Sequence, residues 1–135
     1  GSSINGDIPA LVTAIANSYL EWLGNISKAR QIFQQFAHEL SFSYYFWREY
    51  LRFEISIAED VDIDGDTSEN TIVRNQKNEE SNLVKQVYDQ VKGAELEPNQ
   101  RKDLAHIYMV FLLSKGNVST EATQKYFEID KEAYL

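Results

Sequence analysis

The stretch EDVDIDGDTSEN, Glu59 to Asn70, places acids where a calcium loop places its ligands. Asp60, Asp62 and Asp64 alternate, and Gly65 stands where an EF-hand makes its sharp turn. Hard oxygen ligands at that spacing would suit a divalent cation. Counted from Asp60, however, the bidentate acid of position twelve falls on Thr71 and the apolar residue of position eight on Thr67. No second hand accompanies the first. The run therefore reads as an acidic insertion. A calcium site from Asp60, Asp62, Asp64 and Asp66 is the lesser reading, and no cofactor or resident metal is expected.

Catalytic chemistry has little to work with. The chain has two histidines and no cysteine. His38 and His106 belong to different predicted helices, and neither has a Ser-Asp or carboxylate pair nearby in sequence to build a triad. No glycine-rich loop is present to cradle a phosphate. The expectation is a protein that is not an enzyme. The lack of cysteine also excludes a disulfide framework and cysteine-ligated zinc.

The formal net charge is −8 over 135 residues. A nucleic-acid backbone calls for a basic footprint, so any contact with RNA is expected to be indirect. The acidity is local. Glu59, Asp60, Asp62, Asp64, Asp66, Glu69, Glu79 and Glu80 face only Arg74 and Lys77 in that segment, which supplies −6 of the −8. The rest of the chain is close to neutral. A hydrophobic share of 43%, of which many side chains are aromatic, is enough to bury a core. No apolar run approaches the ~20 residues of a membrane span. Gly1-Ser2 at the start has the look of a cloning scar, and the chain reads as a piece of something longer.

These residues sit on helices by their spacing. Residues 1–7 read as a leader, and residues 8–135 as one all-α domain. Apolar residues at Leu11, Ile15, Tyr19, Trp22 and Leu23 predict a helix from Ile8 to Leu23, with Pro9 in its first turn. Gly24-Asn25 gives a stop. A second helix is predicted from Ser27, as its cap, to Leu40, and a third from about Ser43 to Ile57. The acidic segment, 59–82, follows. Further helices are predicted from about Glu80 to Lys92 and Asn99 to Lys115, and a sixth after a cap at Ser119 or Thr120. The pairs are 8–40, 43–92 and 99–135.

The pattern repeats. SYLEWLGNISKARQIF and VFLLSKGNVSTEATQKYF share a helix end, a Gly-Asn turn with a serine, and a helix opening on alanine. With Ala16, Tyr50 and Tyr108 in register, the first interval is 34 residues and the second 58. The excess of 24 falls where the turn of the middle unit should lie, which is where the acidic run begins.

The middle unit carries Trp47, Tyr50 and Glu54 in FWREYLRFE, after Ala29-Arg30 in KARQIFQQFA. This resembles the half-a-TPR (HAT) repeat of RNA-processing scaffolds, which implies an antiparallel helix-pair α-solenoid of about three repeats. The Trp and Tyr would fill the gap between helices, and the Glu would pair with a basic residue on the neighbouring helix. The outer units are degenerate, with Thr13, Ala16 and Leu20 in one and Ala105, Tyr108 and Leu112 in the other. Tyr88, Asp89, Gly93, Pro98, Phe111, Gly116 and Tyr126 further resemble the carboxy-terminal repeats of the pre-mRNA-processing factor 39/42 group. That resemblance implies a nuclear scaffold subunit of the small nuclear ribonucleoprotein that recognises 5′ splice sites. It would pair with itself or a paralogue and touch other subunits of the particle. Dimerising HAT domains of 3′-end cleavage factors would read similarly.

Phe42, Tyr44 and Tyr45 cannot share one side with Phe46, Trp47 and Tyr50, so some lie on an edge as partner contacts. Tyr126, Phe127, Ile129 and Tyr134 load the last predicted helix with apolar groups where a solenoid needs a polar cap, and they are expected to dock on a partner. A direct RNA platform from Arg48 and Arg52 among aromatics, with Lys28, Arg30 and Lys85, is a further alternative.

Overall fold

The computed structural model describes residues 3–63 and 71–114, and these form five helices with no strand among them. Helix α1 is Ser3–Leu23, α2 Ile26–Phe36, α3 Tyr44–Ile63, α4 Thr71–Lys92 and α5 Pro98–Ser114. The described residues are all-α, and their packing is compatible with an α-solenoid. α1 packs on α2 and α3 on α4, while α3 touches both α1 and α5.

The turns follow local chemistry. Gly24 takes φ 61°, the left-handed region that a side chain disfavours. There its N–H donates to the Leu20 carbonyl at 3.1 Å and the Asn25 N–H to that of Tyr19 at 2.9 Å, which closes the end of α1. The cap of α2 is Asn25 rather than Ser27. Its Oδ1 accepts the Lys28 N–H at 3.0 Å, and a short amide at that place does what the serine was expected to do two residues later. Ser43 Oγ caps α3 by accepting the Phe46 N–H at 3.1 Å. Gln100 reaches back to accept the Glu97 N–H at 3.0 Å, and Pro98, with no N–H to lose, opens α5.

Three boundaries differ from the sequence pattern. α1 begins at Ser3, so it takes in residues 3–7, and Pro9 lies inside it rather than in its first turn. α2 stops at Phe36, and residues 37–42 form turns instead of its last helical stretch. The largest difference is in the acidic segment. α3 continues to Ile63 and α4 starts at Thr71, so most of the predicted insertion 59–82 is helix. α3 and α4 both run into that segment, and residues 64–70 lie between them in sequence.

The core is one cluster. Phe33 of α2 meets Phe46, Tyr50 and Phe53 of α3, and the cluster takes in Val84, Val87 and Val91 of α4 and Leu104, Tyr108 and Phe111 of α5. α1 contributes its small side. Val12, Thr13 and Ala16 are buried, whereas Leu11, Ile15, Trp22 and Leu23, the residues that carry its apolar periodicity, are exposed. Small side chains at 13 and 16 let the helix approach α2 and α3 closely, and that turns the bulky residues outward.

Candidate functional site

Trp47, Tyr50 and Glu54 lie three and four residues apart, so α3 presents them on one face. Phe33 stacks flat on Tyr50, with ring centroids 4.9 Å apart and planes at 4°. Trp47 lies 6.1 Å from Tyr50, and its Nε1–H donates to the Ser41 carbonyl at 3.0 Å. Ala29 is fully buried in the same layer. One turn along α3, Glu54 is 1% exposed and is held by Arg30 of α2. Arg30 Nε donates to Oε2 at 2.7 Å and Nη2 to Oε1 at 2.8 Å. The same Nη2 reaches Glu80 Oε2 of α4 at 3.3 Å. A bidentate pair of this kind is among the stronger charge-assisted contacts.

The electrostatics follow from burial. The hydrogen bond to Glu54 raises the Arg30 pKa against its own desolvation. Burial lifts the Glu80 carboxyl above its ordinary range, and Arg30 only partly offsets this. Burial, with the nearby Glu54 charge, pushes the Tyr50 hydroxyl up to about 12. Tyr108 repeats the theme on α5. It stacks on Tyr88 of α4 at 4.5 Å, and burial takes its hydroxyl to about 12 as well. These residues hold helices together.

The other side of α3 is accessible. Arg48 places its guanidinium 5.6 Å from the Tyr44 ring and 5.5 Å from the Tyr45 ring. Its Nε is buried with no hydrogen-bond partner. The half-buried Tyr44 donates its hydroxyl proton to the Asp103 carboxylate of α5, and burial, then Asp103, raises its pKa. Phe42 and Tyr45 are exposed beside it. Further along, α3 and α5 flank an open groove of about 560 Å³. Ile55, Ile107, Val110 and Phe111 give it apolar walls, and Arg52, Ser56, Glu59, Asp103 and His106 give it a polar rim. An apolar floor with a mixed polar rim suits capture of a partner's side chains. Val110 is 66% exposed at this edge.

The expected partner residues are thus divided. Tyr44 and Tyr45 open α3 with Arg48 against both rings, Phe42 is exposed in the turn before it, and Tyr126, Phe127, Ile129 and Tyr134 lie outside the described residues. The α5 half of the groove was not singled out from sequence. From Leu104 to Leu113 apolar residues of α5 are interrupted only by His106, so no single face stands out. The five bases of the RNA alternative do not converge. Arg30 is engaged by two carboxylates, Lys85 pairs with Asp89 at 3.2 Å, and Lys28 lies 6.0 Å from the Tyr19 ring. Arg48 and Arg52 alone share the α3 surface.

Among the described residues no group of His, Cys, Asp or Glu is placed to hold a metal ion. Positions 60 and 62 are on the helical backbone of α3, where residues two apart do not face each other. Asp64 and Asp66 lie outside the described residues. Among the described residues no helix is long and apolar enough to cross a membrane. No protein-family model matches the chain, and neither does any curated protein or solved structure.

Proposed function

We propose that the chain is a non-enzymatic scaffold module of the HAT-repeat type, which assembles protein partners within a pre-mRNA splicing ribonucleoprotein in the nucleus. The observation that carries this reading is the constellation of Trp47, Tyr50 and Glu54 on one helix with Arg30 on the one before. The aromatics fill the space between helices and the acid takes the arginine in a bidentate grip. A second observation supports the repeat. The Phe33–Tyr50 stack joins α2 to α3, and the Tyr88–Tyr108 stack joins α4 to α5, each between one helix pair and the next. The binding surface is the edge bearing Phe42, Tyr44 and Tyr45 with the groove beside it. Its substrate class is protein.

Affinity capture from nuclear extract, followed by identification of the bound subunits, tests this. The expected outcome is recovery of splicing-particle proteins by the chain and their loss with the Phe42→Asp, Tyr45→Asp double variant. Recovery of 3′-end cleavage subunits instead would move the module to that machinery. Recovery of neither, or of RNA in the absence of protein, would overturn the reading.

A further inference from the structure

The groove between α3 and α5 carries opposite charges at its two ends. Arg48, Arg52, Ser56 and Glu59 follow one another at intervals of three and four residues, so they form one stripe along α3. The two arginines open the stripe and Glu59 closes it. Arg52 and Glu59 both line the groove, and both are exposed. Among the described residues Arg48, Arg52 and Glu59 are in no ion pair. Asp103, the acid on the α5 side, already accepts the hydrogen bond of the Tyr44 hydroxyl. Between the charged ends lie Ile55, Ile107 and Val110, and Val110 is 66% exposed.

We propose that this groove takes a linear peptide segment of another protein, with an acidic side chain at the arginine end, an apolar side chain in the middle and a basic side chain at the Glu59 end. The proposal rests on the reading of the chain as a protein-assembly module and adds to it the chemistry and the direction of the ligand. Size selects a linear segment. The groove holds about 560 Å³, which lies within the ~300–1,000 Å³ of ligand pockets. It admits a few side chains and not the face of a folded domain. Helix geometry sets the spacing. Arg52 and Glu59 are seven residues apart on α3, roughly 10 Å along its axis. An extended chain advances ~3.3 Å per residue, so the acid and the base of the ligand stand about three residues apart. Charge sets the direction. The reversed segment would place acid against Glu59 and base against Arg52, and like charges brought together suppress a wrong docking. A nucleic acid fits less well, because its phosphates repeat one charge and would meet Glu59 and Asp103 along the rim.

Selection from a phage-displayed library of random linear peptides, at physiological salt, tests the groove. The wild-type chain is expected to enrich peptides in which an acid, an apolar residue and a base follow in one fixed order. The double variant Arg52→Glu, Glu59→Arg should enrich the opposite order. By fluorescence anisotropy, a labelled wild-type-selected peptide should bind Arg52→Glu about tenfold more weakly, and Val110→Asn more weakly than wild type. All three positions are exposed, so helical circular dichroism should be unchanged. The proposal is overturned by a wild-type selection that enriches nothing, by enriched peptides without the charge order, or by the same peptides from the double variant. Tighter binding of a labelled oligouridine than of the selected peptide would give the groove to RNA and overturn it too. So would a concentration-dependent rise in mass on sedimentation that Arg52→Glu abolishes, since that would give the groove to a second copy. These failures are separate from failure of the assembly reading. A chain that captures splicing subunits and selects no charge-ordered peptide keeps that reading and loses this one. A chain that selects such peptides and captures no splicing subunit keeps the groove and loses the particle.

Discussion

Tyr108 lies on Tyr88 with ring centroids 4.5 Å apart and planes at 16°, and this stack is the aromatic bond between α4 and α5. Its counterpart is Tyr50 on Phe33, between α3 and α2. Stacked pairs add about 0.5–1.5 kcal/mol to the stability gained from burial alone. Tyr108→Ala is expected to cost about 3–5 kcal/mol in urea unfolding, and Tyr108→Phe much less, because the ring and not the hydroxyl fills the gap. A loss for Tyr108→Ala below about 1 kcal/mol would show that α5 is not part of the cooperative core.

Arg30 and Glu54 make a second prediction. Replacing Arg30 by Met strands a carboxylate that is 1% exposed, and stability at neutral pH should fall by about 3–5 kcal/mol. Changing both partners to apolar residues of similar size should recover most of this. A double variant as unstable as Arg30→Met alone would refute the pairing as the cause.

Glu80 should behave differently. Its folded-state pKa is raised, so folding favours the protonated carboxyl, and that stability is lost as pH rises from the unfolded value through the folded one. At neutral pH, Glu80→Gln is therefore expected to leave the melting temperature unchanged or higher, despite the loss of an acid that touches Arg30. A clear drop on thermal unfolding would contradict this.

At alkaline pH, Tyr50 and Tyr108 contribute. Each ionises at about 12 when folded and near 10 when unfolded. The folded state keeps its protons longer, so stability falls as pH rises through that window. Each tyrosine contributes up to about 1.4 kcal/mol per pH unit. Denaturant midpoints taken between pH 9 and pH 12 should decline steeply for the wild type and less for Tyr108→Phe.

The sequence disclosed the inner face of α3 because Trp47, Tyr50 and Glu54 are large or charged residues at helical intervals, and few arrangements can bury them all. It disclosed α1 less well. The repeat register pointed to Thr13 and Ala16, which are buried, while hydrophobic periodicity pointed to Leu11, Ile15 and Trp22, which face outward. Periodicity reports where apolar side chains cluster, and α1 has more of them than its neighbours can cover. The acidic run hid two helical extensions for another reason. Aspartates alternating with Val61, Ile63 and Gly65 weaken the local helix signal, yet helices already nucleated in a packed pair can extend through such residues. The groove beside α5 stayed unseen because its walls come from helices some fifty residues apart in sequence, and only packing brings Ile55 to Ile107.

Arg30 touches carboxylates 24 and 50 residues away, on two other helices. Such a contact cannot form while any of the three is still unattached. It should therefore be nearly absent at the folding barrier and complete only beyond it, so that it acts on the rate of escape rather than the rate of arrival. The arginine is in this sense a latch. Closing it hardly hastens assembly of the chain, but opening it is a toll on every route by which the three helices come apart.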